Sequence, residues 1–239
     1  MDREVKKLKE EIEREREKGV AAMVACYQGF DPAAYLQYNY MPPRADFDRQ
    51  DSIVLSACEV FDTVFLTDFL EVNRQELRRW LQGEGKGYSS LDWTPYLQHK
   101  AARLRSVVSD ILPIDVHLPR PLPLDSQLPT AGADCLVSCF CLESVSPDLA
   151  SFTRALGHIR GLLRPGGHLL LIGALGESYY MGGPGVRIPV VPLDEAQVCA
   201  SVRASGYTLV RLEVYTLPQG MKVGVDDVTG VFFVKARKP

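Results

Sequence analysis

The sequence predicts an α/β domain built on a mostly parallel sheet with helices on both faces, and three observations carry that expectation. Short apolar runs alternate with amphipathic segments along most of the chain. Acidic residues follow several of those runs, at the strand ends where open sheets of this kind take ligands. At 239 residues the chain is long enough to bury a sizeable core. Composition narrows the function classes. Hydrophobic residues make up 46% and charged residues 24%, an ordinary balance for a globular protein. A formal net charge of −3 and a pI near 5.9 argue against a nucleic-acid partner. No apolar run is long enough to span a bilayer, and the N-terminus is charged from Asp2 onward with no apolar signal core. The expectation is a cytoplasmic protein with no membrane partner.

The elements follow in order. "MDREVKKLKEEIEREREKG" is strongly helical by propensity, with Lys and Glu spaced for i,i+4 pairs and Gly19 as its stop. Its thin seam of Val5, Leu8 and Ile12 lasts under two heptads. Residues 1–20 therefore read as a solvated helical extension, with weak self-association through the seam as the alternative. The domain proper is expected over 21–239. It opens with an aromatic stretch in which Tyr27, Tyr35, Tyr38 and Tyr40 lie near Asn39, a composition that suits packing or a lid over a pocket. "TVFLTDF" reads as a strand and "NRQELRRWLQ" as a helix. "AARLRSVVSDIL" reads as a helix and "ILPIDVH" as a short strand. "ADCLVSCFCLE" is a buried strand, "DLASFTRALGHIRGLL" a helix, "RPGG" a turn and "HLLLIGAL" a strand. After a glycine-rich loop, "LDEAQVCASVRASG" is a helix stopped by Gly206, and "YTLVRLEVYTL" and "GVFFVKARK" are strands that pair at a sheet edge.

Cys26, Cys58, Cys135, Cys139, Cys141 and Cys199 lack the paired C-x-x-C spacing of a zinc site, and His99, His117, His158 and His168 show no metal-ligand spacing. Buried reduced thiols, turn histidines and no metal are expected. Neither G-x-G-x-x-G nor G-x-S-x-G is present, which removes the usual dinucleotide and serine-hydrolase readings. What remains is a set of acids at strand ends: Asp68, Asp115, Glu143, Glu177 and the pair Asp226-Asp227. One such acid is ordinary turn chemistry. Several, beside an aromatic segment, suit a cationic ligand, since carboxylates supply charge and ring faces attract cations.

The blocks "YNYMPPR", "LTDFLEVNRQELRRWLQ", "LPIDVH", "FCLESVSPDLASFTRAL", "LLRPGGHLLLIGAL", "ESYY" and "GVDDVTGVFF" resemble, in the same order, the small-molecule amine N-methyltransferases. That family takes in nicotinamide, indolethylamine and phenylethanolamine N-methyltransferases, and "DFLEVNRQEL" with "GVDDV" looks most like the phenylethanolamine branch. The resemblance runs from about Cys26 to near Lys238. It implies a Rossmann-like class I methyltransferase sheet, S-adenosylmethionine as cofactor, and methyl transfer to the primary amine of a small aromatic substrate of the noradrenaline-to-adrenaline class. By the same resemblance Asp68 corresponds to the acid that holds the ribose, with Asn73 beside it. Asp115 and Val116 correspond to the pair flanking the adenine, and Tyr27 and Tyr40 to cofactor contacts. Asn39 and Phe140 match the residues that sandwich the substrate ring, and Tyr35, Arg44, Tyr180, Leu217 and Val228 match other pocket positions. Glu177 and Asp226 match the catalytic carboxylates near the amine and hydroxyl, with Glu143 close by.

One departure stands out. No glycine occurs between Gly29 and Gly83, although the family carries a D-x-G-S-G-P-T turn in this part of the chain. The first central strand and its glycine turn are expected to be missing at about residues 46–55. Its sheet neighbours must then close the gap or lose their pairing, and "DSIVLSACEV" is a candidate to fill it. Two other functional readings stay open beside the methyltransferase: an inactive truncated relative that acts as a binding or remnant protein, and an indolethylamine-type enzyme.

Overall fold

The computed structural model describes residues 2–32, 34–35, 58–83, 95–217 and 227–239. The chain divides into two compact units. The first holds residues 1–30, 116–121 and 127–239, and the second holds 31–115 and 122–126.

The first unit begins with α1 (Asp2–Cys26). This corrects the expected stop at Gly19, because the helix runs on for seven residues. A Cβ at Gly19 would meet Pro147 Cγ at 3.1 Å, so this glycine serves close packing rather than termination. The helix changes character there: residues 4–15 are all exposed, whereas Met23 is buried. A four-stranded sheet follows, in the order β3 (Ala133–Cys139), β4 (Leu163–Leu175), β8 (Gly230–Arg237), β7 (Thr208–Thr216). β3 and β4 are parallel, and their crossover contains the short α4 (Leu142–Val145) and α5 (Leu149–Arg160). α5 starts at Asp148, whose side chain accepts from the Ser151 N–H at 2.6 Å. α6 (Glu195–Ala204) starts with a full capping box between Asp194 and Gln197 and stops at Gly206, φ +82°. The apolar faces of these helices and strands form the core: Phe152, Leu156, Ile159, Val198 and Val202 are buried, as are Leu169, Leu171, Phe232 and Val234. β7 and β8 pair antiparallel at the sheet edge, as expected.

Two local readings change here. "RPGG" does not precede β4 but lies within it, as an irregularity opposite Asp134 between the pairs Ala133↔Leu163 and Cys135↔His168, with Gly166 at φ +76°. The glycine-rich loop before α6 contains a hairpin, β5 (Tyr179–Gly183) with β6 (Val186–Pro189).

The second unit pairs β1 (Val64–Asp68) with β2 (Val108–Pro113) in parallel. Between them in sequence come α2 (Glu71–Leu81) and α3 (Pro95–Val107). The helix expected to reach Leu112 ends at Val107, and β2 begins at the next residue, where β-branched Val107 and Val108 favour the extended form. Cys58, Leu104 and Val107 form a small core with Val64, Trp80 and Ala101 packed on it. Arg105 stacks its guanidinium 4.4 Å from the Trp80 ring centroid and donates to the Trp80 carbonyl.

Among the described residues, β1 pairs with β2 alone and β3 with β4 alone. "DSIVLSACEV" lies mostly outside the described residues; its last three, Cys58–Val60, are helical. Among the described residues no disulfide joins the cysteines, and no helix is long and apolar enough to cross a membrane.

Candidate active site

In the first unit, the chemistry-bearing residues collect where β3 and β4 end. Phe140, just past β3, has φ +47°, a left-handed conformation that an aromatic residue adopts only under constraint from its surroundings. Its N–H continues the ladder to the Ile172 carbonyl at 2.8 Å, and its own carbonyl accepts from Ser144 Oγ at 3.2 Å. Phe140 is 38% exposed at this strained turn.

Beyond Phe140 strand β3 has ended, and the next inward-facing N–H of β4, on Ala174, has no strand to pair with. The Glu143 carboxylate takes that place: Oε1 accepts from Ala174 N at 3.0 Å, and the Glu143 carbonyl accepts from Val191 N at 3.1 Å. Glu143 is completely buried, and Oε2 has no hydrogen-bond partner among the described residues. Burial pushes its carboxyl up to about 7. The close fit needs glycine next door, since a Cβ on Gly173 would lie 2.6 Å from both Glu143 Oε1 and Phe232 Cζ. Glu143, expected near the amine, is therefore an interior group that replaces a strand.

Tyr27 and Tyr180 form a short relay. Tyr180 Oη donates to Tyr27 Oη at 3.0 Å, and Tyr27 Oη donates to the Ser144 carbonyl at 2.9 Å. Burial, and then the Tyr27 phenol beside it, push the Tyr180 hydroxyl well up, so it stays a neutral donor. Glu177, 8% exposed just after β4, is the carboxylate whose charge reaches Tyr180. The neighbouring Ser178 is clamped by Asp227: its N–H donates to Oδ1 at 2.7 Å and its hydroxyl to Oδ2. Thr229 donates its N–H to the Leu175 carbonyl and accepts from the Leu217 N–H, which brings Leu217 and Val228 beside the end of β4. Ser144, Ser178 and Thr229 were not singled out in the sequence. Only their adjacency to the acids in "CLESV", "GESYY" and "GVDDVTG" could have found them.

Val116 is buried, and its carbonyl accepts from His158 Nδ1 at 2.9 Å. His117 Nε2 bonds the Val145 carbonyl at 2.8 Å, so both histidines hold backbone. Among the described residues, no group of His, Cys, Asp and Glu is arranged to hold a metal ion.

In the second unit, Asp68 ends β1. Its Oδ1 accepts from the Leu70 N–H at 2.8 Å, and the Asn73 amide reaches both carboxylate oxygens at 3.1 and 3.2 Å. Burial raises the Asp68 carboxyl, against the lowering effect of those bonds. Asn73 thus orients the acid. Arg74 fixes the turn by donating to the Asp68 and Phe69 carbonyls, each at 2.6 Å, while Glu71 holds its other nitrogens. Asp115 follows β2, whose parallel neighbour ends in Asp68, and the Ile114 N–H bonds the Asp68 carbonyl at 3.3 Å. Tyr35 donates its N–H to the Asp31 carbonyl at 2.9 Å. Asn39, Tyr40, Arg44 and Asp226 lie outside the described residues.

Phenylethanolamine N-methyltransferase of Homo sapiens is 45% identical over 266 aligned positions, covering 92% of this chain and 93% of that protein. The Mus musculus protein of the same name is 42% identical over 274 positions, covering 95% and 91%. Nicotinamide N-methyltransferase of Sus scrofa is 36% identical over 198 positions, covering 77% and 72%. An alignment of 266 positions exceeds the 239 residues available, so the human protein carries internal residues that this chain lacks. Among solved structures, a SAM-dependent methyltransferase from Methanosarcina mazei overlaps with a TM-score of 0.47 at 13% identity, covering 78% of this chain and 87% of that one. A sequence model of the NNMT/PNMT/TEMT family matches residues 52–239, and the chain belongs to that family.

Proposed function

We propose that this chain is an S-adenosylmethionine-dependent N-methyltransferase acting on the primary amine of a phenylethanolamine-type substrate in the cytoplasm. The observation that carries the reading is the 45% identity to a phenylethanolamine N-methyltransferase across 92% of the chain, against 36% over 77% for a nicotinamide enzyme. Six cysteines with no disulfide among them fit a reducing compartment.

The ribose end of the cofactor suits this chain, because Asp68 is a partly buried carboxylate oriented by Asn73 at a strand end. Asp115 and Val116 would flank the adenine, and Tyr27 and Tyr40 would make further contacts. The methionine end has no glycine turn between Gly29 and Gly83 to receive it. When bound, the cofactor supplies an electrophilic methyl group. The chain's own residues have the remaining tasks. An amine attacks only when neutral, so the site must hold an ammonium and accept its proton. Glu177 and Asp226 are assigned those roles. Phe140 and Asn39 would grip the ring, with Tyr35, Arg44, Tyr180, Leu217 and Val228 completing the pocket. Glu143, fully buried with its carboxylate on the Ala174 N–H, holds the end of β4.

Calorimetric titration with S-adenosylmethionine, followed by methyl-transfer assays on phenylethanolamine, indolethylamine and nicotinamide, tests the proposal. Turnover of phenylethanolamine alone supports it. Turnover of another amine in its place overturns the substrate assignment. A second reading, an inactive relative, is favoured by the internal residues that the human protein carries and this chain lacks. A cooperatively folded chain that neither binds nor transfers would establish that one.

A further inference from the structure

The first turns of α1 raise a question that the catalytic reading leaves untouched. Residues 4–15 are exposed on every side, yet they include Val5, Leu8 and Ile12 at 48%, 58% and 61% exposure. A helix of this length with nothing packed against it is marginal in water, and an apolar stripe along it adds a penalty. Spacings of three and four put the stripe on one face, with Val5 and Ile12 at heptad position a and Leu8 at d. β-branched residues at a with leucine at d are the combination that favours two parallel strands.

The charges agree. In this register Glu4 and Glu11 fall at position g, and Lys9 and Arg16 at position e. Parallel pairing sets each g residue against the e residue five positions on in the other helix. Glu4 then meets Lys9 of the second copy, and Glu11 meets Arg16, so every such contact joins opposite charges. Within the helix, Lys6 pairs with Glu10 and Lys18 with Glu15, and of the four g and e residues Arg16 alone has an ion pair in its own helix, with Glu13. Among the described residues, Glu4, Lys9 and Glu11 make no ion pair inside the chain. Antiparallel pairing would instead set Glu4 against Glu11.

We infer that α1 is a self-association surface whose partner is a second copy of this chain, docked in parallel through Val5, Leu8 and Ile12. Glu15 at the next d position and Gly19 at the next a position end the seam, so the contact is short and weak.

Sedimentation equilibrium on the full-length chain, with protein from about 1 µM to about 1 mM, tests this. A reversible dimer with a Kd on the order of 100 µM is expected, weakened more than tenfold, roughly, by Leu8→Ala. Glu4→Lys and Lys9→Glu should each weaken the homodimer by about threefold to tenfold, while the two variants mixed together restore association. Circular dichroism at each composition checks that the helix persists. A chain that stays monomeric throughout overturns the inference. So does a Glu4→Lys variant that dimerises more tightly, or a mixture that gains nothing.

Discussion

Glu143→Gln is the substitution that most directly tests the interior of the candidate site. The carboxylate caps the Ala174 N–H from a fully buried position, and burial moves its pKa from 4.5 to about 7. A carboxyl whose pKa is raised by folding contributes stability that is fully present below its unfolded value. That stability is lost as pH rises through the folded value. The displacement corresponds to about 3 kcal/mol, lost between about pH 4.5 and pH 8. Glutamine keeps the acceptor for Ala174 and never ionises, so its variant lacks this loss. Its extra amide hydrogens meet the same partnerless corner as Oε2 and cost about 1–3 kcal/mol at every pH. Other groups titrate alike in both proteins and cancel in the difference. Urea denaturation at a series of pH values gives that difference directly. Circular dichroism is the readout, because Trp80 belongs to the second unit and Glu143 to the first. The wild type should be the more stable protein in acid and should lose that advantage by pH 8. A difference that stays constant across the series would mean Glu143 ionises as freely in the fold as outside it, and the interior assignment would be wrong.

Asp68→Ala should weaken S-adenosylmethionine binding by about 10-fold to 100-fold, the range for a charged hydrogen-bond acceptor, as read by calorimetry. Unchanged affinity would remove Asp68 from the cofactor site. Gly173→Ala should destabilise the protein by about 1–3 kcal/mol in urea, because its Cβ would sit 2.6 Å from Phe232 Cζ. Tyr27→Phe keeps the ring near Phe30 but removes the bonds to Ser144 and Tyr180, a loss of about 1–2 kcal/mol in the same assay.

Elements whose signals are local could be read before the fold was known. β1 and α2 carry their own periodicity, and α6 is bounded by the Asp194 capping box and by Gly206. The readings that changed depended on partners distant in sequence. Gly19 looks like a helix stop until Pro147 is seen against it. "YYMGGPGVRIP" looks like a loop because its glycines hide a hairpin with an irregular register between Met181 and Gly183. The same division runs through the candidate site. An acid at the end of a predicted strand is legible, and Asp68 and Glu177 are found where expected. That Glu143 turns inward is not, because the Ala174 N–H it satisfies is left over only once β3 stops short of β4.

The lack of any glycine between Gly29 and Gly83 bears differently on binding and on catalysis. Asp68 and its Asn73 support belong to the second unit, where the amide reaches both carboxylate oxygens, so the group assigned to the ribose is in place. Its hydrogen-bonding capacity does not depend on the glycine turn. Orientation of the methyl group is the task that the proposal leaves to a glycine turn, and this chain has no glycine from Phe30 to Gln82. Alignment of nucleophile and methyl group is the larger contribution to rate, of order 7–11 kcal/mol in well-oriented reactions. One charged hydrogen bond contributes only about 1.5–3 kcal/mol. Absence of glycine there should therefore reduce turnover far more than affinity, and tight cofactor binding with slow but measurable methyl transfer is the expected result.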